Sequence, residues 1–181
     1  MFIMKNKIII LTFVLLLTLV FGTIFVIGQQ TIRLSANMPQ IQSAQDAAQR
    51  LNDGVKPQDI VPVGSRINLT TSSAGFLIIY DRSGKVVASS AQLNGSVPII
   101  PFGVLQHTKS PGYNAVTWQP VSGVRIASIE VKTDNYYVLA GRSLAEPEKL
   151  VETIVKLTAA GYVISLLALS AGSLLYKKVS A

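Results

Sequence analysis

The chain has 181 residues, of which 49% are hydrophobic and 14% charged, with a net charge of +7. The absence of cysteine excludes disulfides, thiolate catalysis and cysteine-based metal sites. Nucleic-acid binding is not predicted either, because four lysines stand in two short acid-free tails, while residues 29–149 carry 11 basic against 8 acidic residues.

The first element is an uncharged segment at residues 8–28, in which 16 of 21 residues are Leu, Ile, Val or Phe. This composition favours membrane insertion by about 5–10 kcal/mol, and 21 helical residues match the hydrocarbon thickness. The alternative is a cleaved signal peptide. The segment is longer than a signal-peptide core and lacks a small-x-small cleavage pattern, so we predict transmembrane helix 1.

Residues 157–176 form a second uncharged segment, with lysines on both sides and Tyr176 at its end. We predict transmembrane helix 2, the alternative being a buried helix of a soluble domain. Since both tails, 1–7 and 177–181, are basic and acid-free, the positive-inside rule places both in the cytoplasm of a two-pass protein of the cell membrane. Residues 29–150 then form an extracytoplasmic domain, followed by a juxtamembrane helix at 151–156.

Small residues recur along one face of the second segment. A spacing of four, three and four residues puts them on one side of a helix, where they let another helix approach closely. This predicts a helix–helix contact, with the first span or with a second copy, unless it only reflects how common small residues are in membrane helices. The four residues are Gly161, Ser165, Ala168 and Gly172.

A helix is predicted to continue from the first span into the outer region. Apolar residues recur at helical spacing from Leu34 to Leu51, and Asp53-Gly54 gives a stop signal. Pro39 either kinks this helix or marks its true start. Residues 55–73 are rich in Pro, Gly, Ser and Thr and predict a connection with room for a short helix or strand.

Strand signals follow. Residues 75–80 and 85–90 predict a hairpin, with Gly84 taking a positive φ in the turn. Residues 91–112 are rich in Pro and Gly and predict a loop with a short helix near 102–107. Three more strands, at 114–119, 124–131 and 136–142, are joined by short turns and must pair antiparallel.

The last predicted element is a long helix. Ser143 and Glu146 form a capping-box pattern, and a helix from Leu144 can run unbroken to Tyr176. The last strand would thus lead directly into the second span. The element order predicts an α+β fold: a five-stranded antiparallel sheet with a long N-terminal helix, flanked by two transmembrane helices.

The chain resembles the extracytoplasmic PAS-like sensor modules, the Cache family, of bacterial membrane-bound sensor histidine kinases. The resemblance covers residues 1–176 and is carried by a membrane helix that runs into a domain helix, and by three motifs. They are Asp81-x-x-Gly84-x-Val86-x-Ala88-Ser89, Val124-Arg125-x-Ala127, and the run from Val138 to Leu144 that leads into the second span.

The resemblance implies a PAS-like sheet with a small-molecule pocket and signal transduction by movement of the membrane helices, as in two-component systems. It departs from the family after the second span, where only Lys177–Ala181 follow, so kinase activity is not expected. Signalling would need a partner kinase or a homodimer, reached through the membrane helices.

The resemblance also implies that cationic and hydroxyl side chains grip the ligand. The candidates in this chain are Arg66, His107, Tyr113, Thr117 and Arg125. Structural alternatives stay open: His107 as an exposed loop histidine, and Arg125 as a solvated residue or a partner of Glu130. Arg142 is expected to pair with Glu146 or to meet lipid headgroups.

The expected function is that of a non-catalytic, sensor-like membrane protein without a metal or cofactor. Its outer domain would bind a small molecule or a protein. The alternative is a structural accessory or scaffold subunit of a membrane complex, or the remnant of a truncated sensor kinase. The sequence contains neither a nucleotide-binding nor a metalloprotease motif, and its single histidine, His107, leaves little scope for a catalytic triad.

Overall fold

The computed structural model describes residues 2–61, 64, 66–109 and 112–179. The outermost residues of both predicted tails (1 and 180–181) therefore lie outside the described residues, as do positions 62, 63, 65, 110 and 111 of the predicted connecting segments. In chain order the elements are α1 (Phe2–Asn52), α2 (Pro57–Ile60), β1 (Ile67–Asn68), β2 (Phe76–Asp81), β3 (Val86–Ser89), β4 (Ala91–Gln92), α3 (Phe102–Gln106), β5 (Tyr113–Val121), β6 (Val124–Lys132), β7 (Tyr136–Ser143) and α4 (Ala145–Val179).

The chain divides into two compact units. The helical unit comprises Met1–Ile32 with Lys149–Ala181, and the sheet unit comprises Arg33–Glu148. The predicted α+β fold, with a long N-terminal helix and a five-stranded antiparallel sheet, is confirmed. Two helical stretches, Lys7–Asn52 and Ala145–Tyr176, are long and apolar enough to cross a membrane.

Helix α1 continues without interruption through Pro39 to Asn52, so the interpretation that Pro39 marks the helix start is wrong. The helix ends where the sequence predicts. Gly54 takes a φ of +87°, its amide donates to the Leu51 carbonyl, and the Val55 amide donates to the Arg50 carbonyl. This pair of bonds is a Schellman motif, in which glycine adopts the left-handed conformation that other residues disfavour.

The main sheet has the strand order β3-β2-β7-β6-β5, and every neighbouring pair is antiparallel. The predicted hairpin is confirmed: β2 pairs with β3, and Gly84 has a φ of +83°. The short helix in the long loop is also confirmed, as α3. The small parallel pair of β1 with β4 was not predicted, because two-residue strands show no periodicity.

Both sides of the sheet are covered. On the helix-facing side, the C-terminal part of α1 packs Ala44, Ala47, Ala48 and Leu51 against Ile79, Ile129, Val138 and Ala140. Leu34 and Met38, which belong to the apolar series predicted in α1, are exposed. The packing of α1 against the sheet therefore begins further along the helix. On the loop-facing side, Leu69, Leu93, Ile100 and Leu105 pack against Ile78, Tyr80, Ile126 and Leu139.

The capping box before α4 forms only in part. The Ala145 amide donates to Ser143 Oγ at 3.3 Å, and the helix begins at Ala145 rather than Leu144. Glu146 does not reach back to the Ser143 amide, since Ser143 lies in β7 and pairs with Ile126. Its carboxylate lies 3.9 Å from the Arg142 guanidinium instead, which is the pair expected for Arg142.

Candidate functional site

An open cleft lies between the segment 93–101 and the C-terminal end of β5. Its volume is about 520 Å³, within the range of small-molecule sites. None of its lining residues is charged, and the only tryptophan of the chain, Trp118, is among them. The full lining is Leu93, Asn94, Ser96, Val97, Pro98, Ile99, Pro101, Trp118, Gln119, Pro120 and Val121.

A tight turn shapes one wall of the cleft. Asn94 and Gly95 have φ angles of 49° and 84°, and two backbone hydrogen bonds join Leu93 and Ser96 across them. Both central residues of such a turn need a positive φ, which Asn-Gly adopts readily. The breaker-rich composition predicts an irregular loop here, although the Asn-Gly pair is itself a recognisable turn signal.

Trp118 contributes the only aromatic ring of the cleft lining. The residue is half-buried, and its indole N–H is shielded from solvent without a hydrogen-bond partner in the described part of the chain. Because the open cleft does not expose this N–H, the uncharged lining is the feature that bears on the ligand, and it favours an uncharged one.

The loop-facing side of the sheet also holds a buried carboxyl group, which is not among the predicted site residues. Glu130 has no exposed surface, and its Oε1 accepts a hydrogen bond from Ser128 Oγ at 2.5 Å. Burial raises the pKa of the Glu130 carboxyl to about 7, because the charged form is poorly solvated there. Burial likewise raises the pKa of the Tyr80 hydroxyl, with the charge of Glu130 as a lesser cause.

Three of the five predicted ligand residues, Tyr113, Thr117 and Arg125, share one side of the main sheet, whereas Arg66 and His107 lie outside that sheet. Tyr113 and Thr117 are exposed and pair with Val131 and Ala127, which places them on the side of the sheet opposite Glu130. Arg66 is exposed just before β1. None of the five lines the cleft, and their part in ligand binding stays a prediction.

His107 lies at the end of α3, where it is exposed and its Nδ1 is 2.6 Å from the Gly103 carbonyl. This geometry matches the structural alternative. A side chain that bonds the last carbonyls of a short helix acts as its C-terminal cap.

Arg125 links the sheet to the start of α4. Its guanidinium contacts the Glu148 carboxylate at 2.5 Å, so the expectation that it pairs with Glu130 is wrong. The reason is strand alternation, which places Arg125 and Glu130 on opposite sides of β6. The Arg125 carbonyl also accepts a hydrogen bond from the Leu144 amide at 2.9 Å.

In the helical unit, α1 and α4 pack against each other antiparallel. Gly28 lies beside Ile154, and a side chain added at Gly161 would meet Phe21 at 2.9 Å. Tyr162 stacks edge-on against Phe21, and its hydroxyl is 2.8 Å from Thr18 Oγ1. The small-residue face thus contacts the first helix at Gly161.

The rest of that face is less tightly packed. Ala168 and Gly172 line an apolar groove of about 460 Å³ together with residues of α1. Ser165 donates to the Gly161 carbonyl within its own helix. The four small residues are therefore not equivalent, and of the two glycines Gly161 is the one at which a larger side chain would clash.

No group of three His, Asp or Glu that could hold a metal ion comes together among the residues that the structure describes. Comparisons with protein-family models, curated proteins and solved structures find no match to this chain.

Proposed function

We propose that this chain is a non-catalytic, sensor-like protein of the cell membrane. Its outer domain, PAS-like in the manner of Cache modules, binds an uncharged small molecule in the cleft beside Trp118 and signals to a partner through the membrane helices. The observation that carries the proposal is the cleft itself, with its uncharged lining.

The membrane part of the proposal is supported by the surface of the two apolar helices. The most apolar windows of both candidate spans contain no buried residue, and large side chains such as Leu15, Leu19 and Leu167 are more than half exposed. Exposed apolar surface on this scale is unfavourable in water and favourable in lipid. The basic tails favour cytoplasmic termini, with the sheet unit outside.

A short route connects the cleft to α4. Trp118 and Val121 line the cleft and pair with Ile126 and Val124 on β6. Arg125 stands between those two partners and bonds Glu148 of α4. A ligand that shifts the end of β5 would therefore act on the residue that is tied to the start of α4, and α4 continues into the second candidate span.

The experiment uses the tryptophan as its own reporter. The full chain in lipid nanodiscs is titrated with a panel of small metabolites, half uncharged and half ionised, while Trp118 emission is recorded. We expect a saturable change with one or more uncharged compounds. An Ile99→Arg variant, which puts a charge at an exposed position of the cleft, should weaken that binding at least tenfold.

Gln106→Arg is the matched control, because Gln106 is exposed and lies outside the cleft. It should bind like the wild type. The proposal fails if no compound gives a saturable change, or if Ile99→Arg binds as tightly as the control.

A further inference from the structure

The two edges of the main sheet differ in how well they are protected. One edge is β3, which has only four residues and has α2 beside it. The Gln58 side chain there donates from Nε2 to the Val87 carbonyl at 3.5 Å. Short length and covering segments are the usual means by which proteins keep a sheet edge from pairing with another chain.

The other edge, β5, lacks these protections. It has nine residues and no charge, and apart from its pairing with β6, no backbone hydrogen bond joins it to another described segment. Its side chains alternate, with Tyr113, Ala115, Thr117 and Gln119 exposed. Only its far end is interrupted, by an irregular register after Trp118 and by Pro120, which has no amide proton. A regular edge remains from Tyr113 to Trp118.

We propose that this edge pairs antiparallel with β5 of a second copy of the chain, with Val116 at the two-fold axis. An exposed strand edge can be completed only by another extended segment. Val116 lies within this regular edge, and pairing there sets Ala115 opposite Thr117 and Asn114 opposite Trp118. No like charges meet, since the strand has none.

The pairing would join two five-stranded sheets into one continuous sheet. Held in the same membrane, two copies meet at a raised effective concentration, which favours a contact of modest size. The proposal does not depend on a ligand in the cleft, so it can stand or fail separately from the proposed sensor function.

Cysteine crosslinking tests the register, because the chain has no cysteine of its own. Opposed residues of an antiparallel pair have Cα atoms about 4.5–5.5 Å apart, which suits a disulfide. In the full chain in native membranes, Val116→Cys should form a covalent dimer under mild oxidation at least tenfold faster than Ala88→Cys. The control residue Ala88 is similarly half-buried, on the protected edge β3. Equal rates for the two variants would overturn the proposal.

A charge variant tests the contact without oxidation. The double variant Ala115→Lys/Thr117→Lys sets introduced lysines directly opposite each other across the pair and should weaken self-association roughly tenfold. Both positions are exposed, so the fold should tolerate them. The control is Gln49→Lys/Asn52→Lys, which adds the same charge on exposed positions of α1. Mass measurement in nanodiscs that shows the β5 variant as dimeric as its control would also overturn the proposal.

Discussion

At the scale of single residues, the titration of the buried Glu130 carboxyl should make stability depend on pH. Its pKa is about 7 in the folded protein against 4.5 for an unperturbed glutamate, so the folded state holds its proton more tightly. Stability should therefore fall as pH rises from about 4.5 to 7 and then level off. The loss amounts to roughly 3 kcal/mol.

Glu130→Gln removes this titration and keeps an acceptor for Ser128. In thermal unfolding of the full chain in detergent, the variant should be more stable than the wild type at pH 8 and similar to it at pH 4.5. Asp53→Asn, at an exposed carboxyl, serves as the control and should show no such difference. A Glu130→Gln variant that gains nothing at pH 8 would show that the carboxylate is well solvated or paired.

Glu130 also shows a limit of prediction from the sequence. Strand periodicity predicts which residues of β6 share a side, yet it cannot tell that Glu130 is fully buried, because the segment whose residues pack on that side has no regular pattern. The sequence suggests Glu130 as one partner for Arg125. Its partner Glu148 is 23 positions away, and only the packing of α4 beside β6 brings the two together.

At the scale of elements, the contact of α1 with α4 depends on Gly161. A Cβ there would approach Phe21 to 2.9 Å, whereas nothing lies within 4 Å of a Cβ at Gly172. Gly161→Val should destabilise the helix pair by about 1–3 kcal/mol, and Gly172→Val should cost much less. The distance between spin labels on the two helices in nanodiscs reports the contact. Equal effects of both variants would contradict this packing.

The elements themselves were largely predictable. The β2–β3 hairpin, the three later strands and α3 carry strong local signals in turn glycines, β-branched runs and chain breakers. The order of strands in the sheet and the Asn94-Gly95 turn were not predicted. The strand order depends on contacts between distant segments. The Asn94-Gly95 turn lies among prolines, which favour a loop over a hairpin-type turn. The cleft is formed by the strand order and this turn together. For that reason no residue of its lining is among the predicted ligand residues.

At the scale of the whole molecule, the proposed signalling route requires that a change in the sheet be transmitted to α4. Arg125→Gln breaks the ion pair with Glu148. Both side chains of this pair are about half exposed, so the loss of stability should stay below about 1 kcal/mol. Hydrogen exchange should nevertheless speed up in the first turns of α4, while the ladder of β2 with β7 is unchanged. Lys85→Gln in the β2–β3 turn is the control. Unaltered exchange in α4 would mean that this bond does not couple the two elements.

The sidedness of the chain in the membrane decides the central claim. Because the chain is cysteine-free, single cysteines at two exposed positions, Gln45→Cys in the sheet unit and Val179→Cys near the C-terminus, can be probed in intact cells with a membrane-impermeant thiol reagent. The account predicts labelling of Gln45→Cys at once and of Val179→Cys only after permeabilisation. Labelling of Val179→Cys in intact cells, or protection of Gln45→Cys, would contradict it.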